Sequence, residues 1–349
     1  MPTMIAPPPA AASIRAASSA VEVDVQLQPL DLYRTERVIV WRQIRLLLLV
    51  STIYVLMRAL TVGLFILLPA AMISLFCFVA FCAFMYMSTR STLKTNRMLS
   101  GPLHYTFESG GMTLRGSTYW GWQDWSNLHD TLETRRLFVL RASSAQKNVI
   151  PKRCLAPGDL ERLRALARPG VPGISGARPQ AEPIHSSRLT IRIRMKADDL
   201  YRGALTLLLR KAHWYAAHIV FTFLLFFALN PRFLSPMAFI VAGSILVFYF
   251  AAYIYWASAR AIRTNAAYRN ELELSFDESG IEACGPTLIN RHNWSNFQSV
   301  IEDSKMFMFC PSNSQMLLAP KRFFANDTQI ETLRQLLRTH FTGKLSLKR

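Results

Sequence analysis

The four residues DLYR occur twice in this chain of 349 residues, at positions 31–34 and 199–202. The two copies are 168 residues apart. Further along, stretches between residues 95 and 153 match stretches that lie 169 residues later in the chain. Repetition over such a length predicts an internal duplication. The clearest of the matched stretches are WSN at 125–127 and 294–296, and PKR at 151–153 and 320–322.

Each copy contains the same order of predicted elements. The sequences VEVDVQLQ from Val21 and LTIRIRMK from Leu189 alternate apolar and polar residues, which predicts a strand. A short basic helix begins near each DLYR, and a long apolar tract follows. About five short strands come next, and an amphipathic helix closes each copy. Thr328 and Glu331 form a capping-box pattern that predicts the start of the second closing helix. The sequence leaves open whether each alternating strand joins its own domain or the other one.

The two apolar tracts, 46–87 and 213–256, predict membrane segments. At about 1.5 Å per helical residue, each tract crosses a ~30 Å hydrocarbon layer twice if it turns back near its middle. Arg58 and the sequence NPRFLSP at 230–236 supply the turns. Hydrophobic residues make up 51% of the chain and its formal charge is +18. We therefore predict a membrane α-helical plus α+β protein with four transmembrane helices in two hairpins.

Basic residues flank both tracts, whereas the turns inside them carry only Arg58 and Arg232. By the positive-inside rule this predicts a multi-pass protein of the bacterial inner membrane with both termini in the cytoplasm. Trp41, Trp214, Tyr255 and Trp256 lie at the same interface, as the residues of an aromatic belt do. The predicted domains are a disordered arm (1–20), a strand and leading helix (21–45), hairpin 1 (46–87), cytoplasmic domain 1 (88–168), a linker (169–188), a second strand and leading helix (189–212), hairpin 2 (213–256), cytoplasmic domain 2 (257–341) and a basic tail (342–349).

The part of each copy after the apolar tract resembles the YcxB-like bacterial membrane proteins. It carries, in order, the pattern F-E/D-x-x-G, a Trp, and Pro-Lys after a late strand. The resemblance covers nearly all of the chain outside the arm and the linker, as two tandem copies of one unit. It implies a small antiparallel β domain with a C-terminal helix, similar to a pleckstrin-homology-type half-barrel, and it implies no biochemical role. The matching residues are Phe107, Gly111, Trp125, Pro151 and Lys152 in the first copy, and Phe276, Gly280, Trp294, Pro320 and Lys321 in the second.

The sequence contains no recognisable catalytic or cofactor motif. HExxH, GxSxG, P-loop and Rossmann glycine patterns are absent, so we expect no enzyme and no cofactor. The five cysteines show no CxxC pair, and no Cys/His cluster has the spacing of a metal site. None of the seven histidines keeps its place between the two copies, which argues against a shared catalytic base.

The expected function is a non-enzymatic module whose tandem domains bind a protein partner or anionic membrane lipids. Homo-oligomers are compatible with this expectation, and nucleic acid is not an expected partner. The alternatives are an immunity or resistance protein against a membrane-active toxin and, less favoured, a small transporter. A paired aromatic residue can line a groove, and four cations can face anionic headgroups. The candidate partner- or lipid-binding residues are Trp125, Trp294, Lys152, Arg153, Lys321 and Arg322.

Overall fold

A computed structural model of the chain describes residues 20–39, 85–142, 146–167, 189–210, 236–312 and 315–348, together with residues 41, 49, 53, 60, 79, 82 and 83. The described residues form two units, in which the strands and helices follow one another in nearly the same order. The strands pair antiparallel, apart from one parallel pair that the last strand of the second unit forms, and a helix follows the seventh strand of each unit. The fold is therefore α+β.

The first unit ends at residue 167. Its elements are β1 (Val21–Val25), α1 (described over 29–39), α2 (described over 85–95), α3 (Arg97–Ser100), β2 (Leu103–Glu108), β3 (Gly111–Arg115), β4 (Tyr119–Asp124), β5 (Asp130–Glu133), β6 (Leu137–Arg141), β7 (Lys147–Pro151) and α4 (Asp159–Leu166).

The second unit begins at residue 189, and β15 is its one strand without a counterpart in the described part of the first. Its elements are β8 (Leu189–Ile193), α5 (Ala197–Arg210), α6 (Pro236–Thr264), α7 (Ala266–Arg269), β9 (Leu272–Phe276), β10 (Gly280–Cys284), β11 (Leu288–Asn293), β12 (Ser299–Glu302), β13 (Met306–Ser312), β14 (Gln315–Pro320), α8 (Asp327–His340) and β15 (Lys344–Ser346).

The alternating stretches form strands and join their own units. In β1, Val21, Val23 and Val25 are buried, while the residues between them face solvent. This period of two fits a sheet with one face on a core. Strand β1 pairs antiparallel with β2, and β8 pairs in the same way with β9. The pairing answers the question that the sequence left open.

The two units share one eight-stranded sheet, in the order β1-β2-β3-β4-β11-β10-β9-β8. They meet where β4 pairs antiparallel with β11, and Gly121 lies opposite Asn290 in this pair. The difference between 290 and 121 is 169, which is the repeat spacing, so equivalent positions of the two units face each other. A pseudo-two-fold axis therefore passes through this strand pair, as it does in an isologous dimer interface.

Each unit has its own hydrophobic core on one side of the shared sheet. The first core lies between β1–β4 and the three-stranded sheet β5-β6-β7, and Leu163 of α4 contributes to it. The second core lies between β8–β11 and the sheet β14-β13-β12-β15, and Leu333, Leu336 and Leu337 of α8 contribute to it. The chain thus builds two cores and joins them by strand pairing.

The F-E/D-x-x-G pattern has a packing explanation in both units. Phe107 and Phe276 are fully buried in the two cores. Gly280 begins β10, where the carbonyl oxygen of His292 on the neighbouring strand would lie 1.9 Å from any Cβ atom. Gly111 faces the same restriction, since a Cβ there would lie 2.3 Å from the carbonyl oxygen of Gln123. The glycine is therefore required by the close approach of two backbones.

The prediction of four transmembrane helices in two hairpins is wrong. Among the residues that the structure describes, no helix is both long enough and apolar enough to cross a membrane. Helix α5 has 14 residues, which is about 21 Å, and its first turn contains Asp198 and Asp199. Helix α6 has 29 residues, but Arg260 and Arg263 lie in its last turns, and Ala261 and Ile262 pack against the second core.

The prediction of a multi-pass location in the inner membrane, with both termini in the cytoplasm, is wrong for the same reason. It depended on the flanking charges of spanning segments, and the described helices provide no such segment. The predicted arm (1–20), apart from residue 20, and the linker (169–188) lie outside the described residues. The same holds for most of 46–87 and for 213–235.

Candidate functional site

The DLYR and PKR motifs meet in the folded chain. In the first unit Asp31 accepts two hydrogen bonds from the guanidinium of Arg153, at 2.8 and 2.7 Å. In the second unit Asp199 accepts two from Arg322, at 2.6 Å each. Both carboxylates are buried, whereas both arginines remain about two-fifths exposed. Bidentate pairs of this kind are the strong form of the salt bridge, and each ties a helix start to the end of a late strand.

The same aspartates also cap the helices that follow β1 and β8. The backbone N–H of Gln28 donates to Asp31 at 3.0 Å, and that of Lys196 donates to Asp199 at 2.8 Å. A carboxylate in the first turn of a helix satisfies an otherwise unpaired N–H and favours the positive end of the helix dipole. Hydrogen bonds to these carboxylates raise the pKa of Arg153 and of Arg322.

The tyrosine of DLYR connects the two helical segments of each unit. Tyr33 makes an edge-to-face contact with Tyr86 of α2, at 5.9 Å between ring centroids. Tyr201 makes the equivalent contact with Tyr255 of α6 at 5.8 Å. Such aromatic pairs contribute about 0.5–1.5 kcal/mol beyond their burial. DLYR is therefore a structural clamp that fixes helices on the sheet of each unit.

The lysine of PKR forms a second ion pair in each unit. Lys152 and Arg164 both bind Glu133, and Lys321 and Arg334 both bind Glu302. Hydrogen bonds from Arg164 and then Lys152 lower the pKa of Glu133 to about 2. Burial alone would raise the pKa of Glu302, but hydrogen bonds from Arg334 and Lys321 outweigh it, so the pKa is lowered. The four PKR cations are thus engaged inside their own units.

Trp125 and Trp294 are buried in the two cores. Each lies in a single 3-10 turn, and neither is a strand residue, because β4 and β11 end one residue earlier. Their indole Nε1 groups donate to the carbonyl oxygens of Glu108 and Asp277, at 2.8 and 3.0 Å. The partner-binding role of these tryptophans and of the PKR cations stays a prediction.

Polar contacts cross the junction between the two units. Tyr119 donates to Asn290 at 2.6 Å, and Thr118 donates to Asn296 at 3.2 Å. Within the second unit, the side-chain nitrogen of Asn296 is 2.8 Å from Nδ1 of His292. Burial lowers the pKa of His292 to about 4, so the imidazole is neutral near pH 7. Because Tyr119 and His292 face each other across β4 and β11, the junction is specific rather than merely apolar.

Exposed cations that make no ion pair with a described residue gather on the helices. The acidic residues of α1 are bound to cations elsewhere, Asp31 to Arg153 and Glu36 to Lys147, while α2 and α6 contain no acid over their described residues. The basic charge of α1, α2 and α6 is therefore largely uncompensated, whereas the first turn of α5 carries Asp198 beside the paired Asp199. The exposed cations of α1, α2, α5 and α6 are Arg37, Arg90, Lys94, Arg202, Arg260 and Arg263.

Exposed aromatic residues lie on the same helices. Tyr253, Tyr255 and Trp256 of α6 are each about half exposed, and Tyr86 of α2 is 40% exposed. The guanidinium of Arg260 lies over the Trp256 ring, 5.3 Å from its centroid. We call the six cations and these four aromatic residues together the helical collar. Sequence reasoning placed Tyr255 and Trp256 at an interface but chose PKR as the cationic site, since nothing local in the sequence shows that PKR is paired.

The helical collar has no donor set for a metal ion. In the described part of the chain, no group of three or more His, Cys, Asp or Glu side chains is arranged to hold one. The collar chemistry is that of cations beside amphipathic rings, which suits an anionic surface with an apolar layer beneath it.

Comparison with known proteins finds a match to one family model. The family model described as YcxB-like protein matches residues 276–337. The "Uncharacterized protein YcxB" of Bacillus subtilis (strain 168) is 24% identical over 123 residues, which is 35% of this chain and 66% of that protein, just under two thirds of its length. No solved structure matches the chain. These matches confirm the resemblance to YcxB-like proteins seen in the sequence.

Proposed function

We propose that this protein binds anionic lipid surfaces through its helical collar. The observation that carries the proposal is on α6, where exposed aromatic rings lie one to two turns before exposed arginines and Arg260 lies over Trp256. Trp and Tyr rings favour the boundary between headgroups and acyl chains, while arginines favour the headgroup phosphates. The proposal concerns contact with a surface and requires no helix to cross a bilayer.

The sequence of burial along α6 supports this orientation. Ala261 and Ile262 pack against the second core, so this end of the helix is fixed to the folded unit. Phe248 and Tyr253, farther from the core along the helix, are exposed by 77% and 50%. A helix held at one end by a domain and bearing exposed apolar residues at the other can present them to a lipid surface without loss of its own packing.

Electrostatic attraction supplies a measurable part of the binding. A cation near an anionic lipid surface contributes about 1 kcal/mol, and the effect decays within a Debye length of about 10 Å at 0.1 M salt. Removal of two collar arginines should cost about 2 kcal/mol, which is about 30-fold in affinity. Binding should also weaken as salt rises, in contrast to burial of apolar surface alone.

The test is co-sedimentation of the full chain with phosphatidylcholine vesicles and with vesicles that also contain phosphatidylglycerol. The test variant is Arg260→Gln/Arg263→Gln. The control variant is Arg135→Gln/Arg136→Gln, which removes the same charge from exposed positions in the turn between β5 and β6. We expect preferential binding to the anionic vesicles, a large loss in the test variant, and little change in the control.

Three outcomes would contradict the proposal. Equal binding to both kinds of vesicle would remove the anionic lipid from the mechanism. Equal losses in the two variants would mean that net charge, and not the collar, drives the association. If the purified chain binds neither kind of vesicle, the lipid proposal fails. A protein partner would then be the remaining expected ligand of this module.

A further inference from the structure

The two outermost strands of the shared sheet carry opposite charge. The solvent-facing side chains of β1 are Glu22 and Asp24, and those of β8 are Thr190 and Arg192, with Arg194 directly after the strand. Asp24 is 83% exposed and Arg192 is 73% exposed, although each also contacts a neighbour on its own sheet. The acidic edge and the basic edge lie at opposite ends of one eight-stranded sheet.

Both edge strands have a ladder on one side, and the carbonyl oxygens just after them, of Gln26 and Arg194, accept from Arg153 and Arg322. Among the described residues, β1 forms its ladder with β2 alone and β8 forms its ladder with β9 alone. An edge strand with unpaired N–H and C=O groups is a template for another strand. Both strands also show the same alternation, with every second residue buried. Their apolar sides would therefore continue one core layer if the two strands paired.

The direction of the strands fits a second copy of the chain. All neighbours in the eight-stranded sheet are antiparallel, and the number of strands is even, so β1 and β8 run in opposite directions. A copy displaced along the sheet, without being turned over, therefore brings its β8 antiparallel to β1 of the first copy. Backbone hydrogen bonds and the two faces of the sheet then continue from one molecule to the next.

We propose that copies of this chain associate head to tail by pairing β1 of one copy with β8 of the next. Charge selects both the pairing and its register. When Asp24 lies opposite Arg192 of the second copy, Glu22 lies opposite Arg194 and Val23 lies opposite Ile193. Pairing of β1 with β1 would oppose carboxylates, and pairing of β8 with β8 would oppose guanidinium groups, and like charges directly opposite are unfavourable in a sheet. The contact is heterologous, so further copies can add at either end.

The experiment measures self-association of the full chain by sedimentation velocity over a range of concentrations. Asp24→Arg and Arg192→Asp each replace an attractive pair by a repulsive one, and each should raise the dissociation constant about tenfold. The double variant Asp24→Arg/Arg192→Asp restores opposite charges across the junction and should associate like the natural chain. Arg115→Asp, at an exposed position of β3 away from both edges, is the control and should associate normally.

A second readout reports the register. In a mixture of isotope-labelled and unlabelled Arg192→Lys chains, a carbodiimide should link Asp24 of one copy to the new lysine of the other. Intermolecular peptides with that link, together with rescue in the double variant, would support the proposal. A chain that stays monomeric at all concentrations, a double variant no better than the single ones, or intermolecular links that join the new lysine only to carboxylates outside β1 would overturn it.

Discussion

Arg322→Ala should destabilise the second unit because it leaves a buried carboxylate without its cation. Asp199 has a side chain only 4% exposed and accepts two hydrogen bonds of 2.6 Å from Arg322. After the substitution the carboxylate keeps one described hydrogen bond, from the backbone N–H of Lys196 at 2.8 Å. The remaining charge would then be buried and largely uncompensated.

The expected loss of unfolding free energy is about 2 kcal/mol. Breaking a fully buried ion pair by removing one partner costs roughly 3–5 kcal/mol. Arg322 is 40% exposed, so water and salt already screen part of its charge. The expected loss therefore falls below that range, to about 2 kcal/mol. Asp199→Asn should reduce the penalty of Arg322→Ala to less than about 1 kcal/mol, because a neutral side chain needs no cation and can still accept from Lys196.

The assay is a double-mutant cycle of urea unfolding followed by tryptophan fluorescence. Arg162→Ala is the matched control, since Arg162 is 64% exposed and lies 3.8 Å from Asp159. Surface pairs of this kind contribute about 0–1 kcal/mol. If Arg322→Ala costs no more than Arg162→Ala, or if Asp199→Asn gives no rescue, the DLYR–PKR clamp does not stabilise the fold as argued.

Trp294→Ala should lower the unfolding free energy by about 3–5 kcal/mol, whereas Trp294→Phe should cost less because it keeps most of the packing, and urea titration separates the two. Gly280→Ala should destabilise because its Cβ would meet a carbonyl oxygen. Gly243→Ala in α6 should be neutral or stabilising, because among the described residues no atom outside the helix's own backbone lies within 4 Å of a Cβ there; the melting temperatures of the two variants should move apart. The pKa of Glu133 falls from its ordinary value of 4.5 to about 2 in the fold, so its stabilising contribution is complete above about pH 4.5 and is lost as the pH falls toward 2. Glu133→Gln should flatten the stability profile in that window, and an unchanged acid-unfolding curve would contradict this assignment.

Local patterns in the sequence predicted several elements correctly. The period of two in VEVDVQLQ gives β1 with its valines buried, and the same pattern gives β8. The start of α8 was predicted less accurately, because the sequence offers two capping residues there. Thr328 and Glu331 suggested a capping box, but the helix begins after Asn326, whose side chain accepts from the backbone N–H of Gln329. The capping-box prediction was wrong because another capping residue stands two positions earlier.

Contacts between distant parts of the chain could not be predicted in the same way. The repeat marked DLYR and PKR as significant, but nothing local indicates that Asp31 binds Arg153 across more than a hundred residues. The ion pairs of the PKR cations with carboxylates of their own unit were therefore not predicted, and their proposed binding role stays a prediction. Pairing of β4 with β11 is also absent from any local pattern, since it depends on two folded units meeting edge to edge. The four-helix prediction failed because it depended on apolar content alone. Apolar content does not show whether a residue packs against a domain core, as Ala261 and Ile262 of α6 do.

Quenching of Trp256 fluorescence by brominated lipid tests the central claim most directly. Trp256 is 54% exposed in the helical collar, and a bromine atom near the top of the acyl chain quenches only rings that reach that depth. The full chain mixed with anionic vesicles that carry brominated lipid should lose fluorescence, and the loss should shrink strongly in Trp256→Phe. Quenching that is absent from the natural chain, or that is unchanged in Trp256→Phe, would contradict binding of the collar to a lipid surface.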